Sequence, residues 1–210
     1  KMVRNESFWS EKMNTQVINP SLSIHDDGLL EGGMSSGSRD GEGVPRRQQA
    51  LVEDGRLTSM LWSTRDAAQQ VAEGRIDGAQ STGSATSGGH QSPPSTGCTE
   101  LFLTSTQPAQ STDQLLERMG DGYIVNSVMG AHTANPSSGD FSVTTSSILK
   151  VEGGEIVGAL KQAGLSGNLA KALNGPVVLG QEVRRQGSYS SGSMHLPDVL
   201  LMDGLRINPA

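Results

Sequence analysis

Gln48-Gln49-Ala50-Leu51-Val52-Glu53-Asp54-Gly55-Arg56-Leu57-Thr58-Ser59-Met60-Leu61-Trp62 decides the fold class of this chain. Asp54-Gly55 separates two strand-like runs, Gln48–Glu53 and Leu57–Trp62, and both of its positions tolerate the positive φ of a tight hairpin. The pattern recurs at Ser142–Glu152 and Glu155–Val157 around Gly153-Gly154, and at Leu196–Met202 and Leu205–Ile207 around Asp203-Gly204. Three such pairs predict a mainly antiparallel sheet.

Helices are expected to be few and short. Ser111–Met119 has capping-box spacing at Ser111 and Gln114, with Leu115, Leu116 and Met119 on one face and Gly120 to close the end. Thr64–Ala72 is a second, with Ala67, Ala68, Val71 and Ala72 as its apolar side, and Asn168–Leu173 a short third before Asn174-Gly175-Pro176. Ser81–Gly97 is polar and lacks any core-forming pattern; at about 17 residues it exceeds an ordinary connection, so it reads as a functional or mobile loop. The fold class is therefore α+β, a predominantly antiparallel β-sheet with two or three short helices.

Composition narrows the function. The chain has 210 residues, 34% of them hydrophobic, and its 27 glycines lift the apolar-plus-glycine share to about 47%, the ordinary globular value. A net charge of -6 with only two tryptophans, two tyrosines and three phenylalanines argues against nucleic acid as a direct partner. No apolar run approaches the roughly 20 residues of a membrane helix. Nothing in Lys1–Pro20 reads as a signal peptide, so a cytoplasmic compartment is expected. Cys98 is the single cysteine, which excludes an internal disulfide and a cysteine-rich zinc site.

The residues of chemistry-bearing type read as structural. Gly33-Met34-Ser35-Ser36-Gly37 fits G-x-S-x-G, but the loop-like Ser38-Arg39-Asp40-Gly41-Glu42-Gly43 follows, where a nucleophile elbow needs a helix. In His25-Asp26-Asp27, adjacent carboxylates on a strand face opposite ways, so capping of backbone N–H groups outweighs chelation of one ion. His90, His132 and His195 stand far apart, with no H-x-x-x-H or H-E-x-x-H spacing. Gly83–Gly89 lacks the Lys-Ser/Thr of a phosphate loop. Cys98 reads as a small buried hydrophobe, and Arg46-Arg47 and Arg184-Arg185 as solvated strand residues. No catalytic, cofactor-binding or metal-ligating residue is assigned.

Six stretches, in order, resemble the C-terminal half of the TldD/PmbA family, whose PmbA member is also called TldE. Ser23-Ile24-His25-Asp26-Asp27-Gly28 is similar to the family's T-I-V-D-D, and Arg39-Asp40-Gly41-Glu42-Gly43-Val44-Pro45-Arg46-Arg47 to D-D-E-G-x-P-T-x-R. Leu51-Val52-Glu53-Asp54-Gly55-Arg56-Leu57 resembles L-I-E-N-G-x-L, and Asn135-Pro136-Ser137-Ser138-Gly139-Asp140-Phe141-Ser142 resembles N-P-x-T-G-D-F-S, the most telling stretch. Val151-Glu152-Gly153-Gly154-Glu155-Ile156-Val157 with Leu165-Ser166-Gly167-Asn168 is similar to I-E-N-G-E-I … I-A-G-N, and Gly192-Ser193-Met194-His195-Leu196-Pro197 to G-S-x-x-x-P.

The resemblance runs from about Phe8 to Ile207 and implies that residues 1–210 are a C-terminal domain, with the N-terminal half of such a protein outside the chain. It implies a cytosolic proteolytic system, also labelled a modulator of DNA gyrase. TldD-type subunits carry an H-E-x-x-x-H zinc helix and a cysteine ligand; PmbA-type subunits lack the helix and pair with a TldD subunit to cleave unfolded peptides. Ser191-Gly192 stands where relatives have Cys-Gly, and a hydroxyl is a poor zinc ligand beside a thiolate. The expected reading is a non-catalytic PmbA/TldE-like subunit without a cofactor of its own, zinc residing in a TldD-type partner. Its expected partners are that subunit or a second copy, and unfolded peptide. The alternatives are a TldD-type zinc peptidase whose metal helix lies outside the chain, and a β-rich scaffold without proteolytic function.

Overall fold

The computed structural model describes residues 7–87, 89, 91–187 and 192–209. His90 and Ser191, which the sequence singled out, lie outside the described residues.

The first hairpin forms as its turn demands: β2 (Gln48–Glu53) returns as β3 (Arg56–Leu57), with Asp54 at φ 46° and Gly55 at φ 75°. The returning strand is shorter than expected. Beyond Leu57 the chain leaves the sheet, because Met60 and Trp62 turn into the core. The remaining strands in order are β1 (Leu22–Asp27), β4 (Ala85–Thr86), β5 (Ser95–Thr96), β6 (Glu100–Ser105), β7 (Gly122–Met129), β8 (Asp140–Glu152), β9 (Glu155–Leu160), β10 (Ala163–Asn168), β11 (Val177–Gly187), β12 (Ser193–Leu201) and β13 (Leu205–Pro209). They build two larger sheets. One runs β11-β12-β6-β1-β2-β3; the other runs β13-β10-β8-β7, with β9 also paired to β8. Every pairing is antiparallel except β12 with β6. The α+β class with short helices holds.

Two expectations are corrected. The Asp203-Gly204 pair does not close a hairpin: β12 belongs to the six-stranded sheet and β13 to the other, so the turn carries the chain between sheets. Its glycine serves close approach instead, since a Cβ on Gly204 would lie 2.7 Å from the Ala172 nitrogen. Ser81–Gly97 is not wholly a loop, for β4 and β5 pair within it as a two-stranded ribbon.

The helices are α1 (Thr64–Ala72), α2 (Thr112–Met119) and α3 (Leu169–Asn174). Ser63, Ser111 and Asn168 cap them through side-chain oxygens, and α2 has the full capping box with Gln114. Alternation along β11 divides the six-stranded sheet. Val177 and Leu179 join Val17, Ile18, Leu22, Val52, Leu57 and Trp62 in the main core under α1, while Val178 meets Leu115 of α2 and Leu200. On α1 the buried side chains are Ala67 and Gln70, whereas Val71 of the expected apolar face is 45% exposed.

Candidate functional site

The sequence places the ends of β1, β6 and β12 side by side, and there the polar residues of the interior collect. The register sets His25 opposite Phe102 and Phe102 opposite His195. The three rings stack across the strands, with centroids 4.9 Å apart for His25–Phe102 and 4.2 Å for Phe102–His195. Neither histidine chelates with the other, because Phe102 lies between them.

Beneath His195 lies Glu100, 0% exposed. Its Oε2 is 2.8 Å from His195 Nε2, its Oε1 accepts the Ser35 N–H at 2.8 Å, and Arg185 Nη2 lies 3.6 Å away. A lone buried carboxylate would neutralise itself. Burial does work against ionising Glu100, but the Ser35 N–H, His195 and Arg185 together outweigh it and hold the carboxyl below the usual range. Asp26, 1% exposed, takes the N–H groups of Thr99 and Glu100 on one oxygen at 2.7 and 2.9 Å. There burial wins, and the carboxyl is raised despite those bonds and the charge of Arg46.

The loop Gly33–Gly37 lies over this cluster. No helix follows it, and Ser35 contributes its backbone rather than a nucleophile. Next to the cluster is an open cleft of about 470 Å³, lined by Ser35, Arg39, Asp40, Arg46, Cys98 and Gly192, with the β4 end of the ribbon as a further wall. Gly192 is obligatory: at φ 75°, a Cβ there would sit 2.3 Å from the Cys98 carbonyl oxygen and 2.5 Å from that of Thr99. Asp40 holds the cleft loop, accepting the N–H groups of Glu42 and Val44 on one oxygen and that of Ala85 on the other. Arg46 Nη1 donates to Thr99 Oγ1 at 2.6 Å.

The residues named from sequence distribute as follows. Asp26 caps backbone amides as expected, and Asp27 caps the Leu29 N–H. Asp26 faces the interior and is isolated from Asp27 by the strand's alternation. Cys98 is half-buried at the cleft rather than a core hydrophobe; burial and the nearby Asp26 charge push its thiol up. Arg46 and Arg185 are not merely solvated, since both serve the cluster. His132 is exposed, in a short 3₁₀ turn remote from it in sequence. Glu100 was not singled out at all. Its signal is a charged residue at the head of the apolar run Leu101-Phe102-Leu103, legible only once β12 is known to lie alongside.

The described cleft residues offer a zinc ion no ready ligand set. Glu100 and His195 are committed to each other, and among the described residues no group of three or more His, Cys, Asp or Glu side chains could hold a metal. No helix of the described residues is long and apolar enough to cross a membrane.

Comparison with known proteins gives the context. A family model described as the PmbA/TldA metallopeptidase C-terminal domain matches residues 1–207. An uncharacterized protein of Methanocaldococcus jannaschii is 30% identical over 192 residues, 91% of this chain and 42% of its own length. A protein of Haemophilus influenzae named metalloprotease PmbA homolog is 26% identical over 207 residues, 99% of this chain and 40% of its own. A solved Thermotoga maritima structure described as a modulator of a DNA gyrase superposes with a TM-score of 0.79 at 28% identity, covering 100% of this chain and 44% of that one. The chain thus spans less than half the length of these relatives.

Proposed function

The chain belongs to the PmbA/TldA metallopeptidase C-terminal domain family, and from that premise we propose that it acts as the metal-free, PmbA/TldE-like side of a zinc metallopeptidase complex. Its TldD-type partner would supply the zinc, and this chain one wall of the peptide cleft. The observation that carries the reading is the closure of Glu100: its oxygens are taken by Ser35, His195 and Arg185, so the best-placed carboxylate and imidazole are spent on holding the wall. Cys98, with its thiol pushed up, is poorly suited to act as a thiolate ligand.

An unfolded peptide would bind here through its main chain. β11 ends the six-stranded sheet, and among the described residues Gln110 covers its outer edge only around Gly180. Among the described residues, nothing pairs with that edge from Glu182 to Gly187, where β11 is exposed and an added strand could pair. Such binding makes little demand on peptide sequence, as a processor of unfolded chains requires.

The test is metal analysis of the dialysed protein together with reconstitution. We expect no stoichiometric zinc, capture of a TldD-type subunit on co-expression, and peptide cleavage by the pair alone. One tightly held zinc per chain, or cleavage by this protein without a partner, overturns the reading.

A further inference from the structure

Away from the cleft, under α1, lies a second recess of about 370 Å³. Met13, Met60, Trp62 and Ile76 make its apolar wall. Gln70 of α1 also lines it, although this side chain is only 4% exposed, and its amide Nε2 is buried with no hydrogen-bond partner.

A buried amide donor without an acceptor costs stability, and a leucine or methionine would fill the same place on an apolar helix face without that cost. Water is a poor answer. The recess would take about a dozen molecules at about 30 Å³ each, and although Ser10, Glu11 and Arg75 line it beside Gln70, the Met13, Met60 and Ile76 side of the wall offers water no strong partner. The terminal amide torsion of glutamine is broad, so turning Nε2 toward the recess is easy. Glu11 and Arg75 also line the recess, and Arg75 is paired with Glu73 at 3.0 Å, so its charge is already met by a carboxylate rather than held ready for an anionic ligand.

We propose that this recess binds a small molecule with a branched apolar body and an uncharged carbonyl, the body packed on Met13, Met60, Trp62 and Ile76 and the carbonyl oxygen accepting from Gln70 Nε2. Its size lies within the range of small-molecule sites. The site is independent of the peptide cleft and does not rest on the proteolytic reading.

The test is methyl NMR of protein carrying ¹³C-methyl methionine, titrated with 4-methylpentanamide and, separately, with 4-methylpentanoate. The amide is expected to shift the Met13 and Met60 methyls saturably, to leave the exposed Met34, Met129 and Met202 unmoved, and to bind more tightly than the carboxylate. Gln70→Leu should weaken amide binding about tenfold while the fold is kept. Absence of shifts at Met13 and Met60, equal shifts at the exposed methionines, carboxylate binding as tight as the amide, or unchanged affinity in Gln70→Leu would each overturn the assignment. If Gln70→Leu does not fold, the methyl map and the amide–carboxylate comparison on the unmutated protein decide it.

Discussion

Glu100 at the head of β6 and Asp140 at the head of β8 are both held below the usual carboxylate range, by opposite means. Glu100 is sealed from water and ionises against the cost of burial because the Ser35 N–H, His195 and Arg185 converge on it. Asp140 is exposed; its Oδ1 accepts from Asn168 Nδ2 at 2.8 Å, and the bonds from Asn168 and Ser138 lower it with almost no burial to overcome. The sealed carboxylate depends on every partner being present. The exposed one can lose a partner to water and find another. The two sites should therefore respond to damage on very different scales.

Glu100→Ala is the largest expected effect. It leaves His195, Arg185 and the Ser35 N–H facing a void, and breaking a buried pair from one side typically costs about 3–5 kcal/mol. Urea melts should show that loss, together with loosening of the Gly33–Gly37 loop in hydrogen exchange. Glu100→Gln keeps an acceptor for Ser35 and should cost less, with a pH signature. A folded pKa below the unfolded one gives stability that is present above the unfolded value and lost as pH falls through the folded one. The gap between wild type and Glu100→Gln should then be widest at neutral pH and narrow in acid. A gap constant with pH would mean that Glu100 contributes shape rather than charge.

Phe141→Ala comes next. Phe141 and Val143 alternate onto one face of β8; Val143 is 8% exposed, but Phe141 is only half-buried and lies opposite Gly167 of β10. A fully buried phenylalanine costs about 3–5 kcal/mol on truncation, so about 2 kcal/mol is expected here. A melt losing as much as Glu100→Ala would erase the contrast between the two sites.

Asn168→Ala is smaller again. Its Oδ1 caps α3 at the Lys171 N–H, while its Nδ2 bonds Ser138 O and Asp140 Oδ1. Loss of an N-cap costs about 1 kcal/mol, and the exposed partners can turn to water. A denaturant midpoint moved no more than this, with the β8–β10 amides still protected, is the expected result.

The same contrast explains what was legible in the sequence. Local signals carried through: the Asp54-Gly55 turn, the Ser111–Gln114 capping box and the bounds of α1 all follow from residues within a few positions of one another. Asn135–Ser142 is local in the same way, since the turn there is made by Asn135, which accepts the N–H groups of Ser137 and Ser138. Long-range placement was not readable. Asp203-Gly204 has the chemistry of a hairpin turn, but α3 packs at Ala172 against that glycine and the following strand finds β10 instead of β12. Glu100 and His195 are 95 residues apart and meet only because β12 lies parallel to β6. No spacing rule along the chain announces such a pair.

Asp140→Asn is the smallest expected change and the sharpest test of the comparison. Asparagine keeps an acceptor oxygen for Asn168 Nδ2, and the backbone bonds of the turn, Asn135 N–H to Asp140 O and Gly139 N–H to Asn135 O, do not involve the side chain. Only the charge is removed. Because the folded Asp140 is lowered, that charge contributes above the unfolded pKa and its contribution fades as pH falls through the folded one. The variant should therefore melt slightly below wild type at neutral pH and coincide with it in acid, a far smaller gap than Glu100→Gln gives. Salt should shrink the gap further, since an exposed charge is screened. Under the proposed function, peptide cleavage by the reconstituted pair should be unchanged in this variant, because the turn fastens β8 to β10 and α3 and involves none of the cleft residues. Unchanged stability with lost activity would make Asp140 part of a working site, and the difference between the two sites would be one of role rather than of burial.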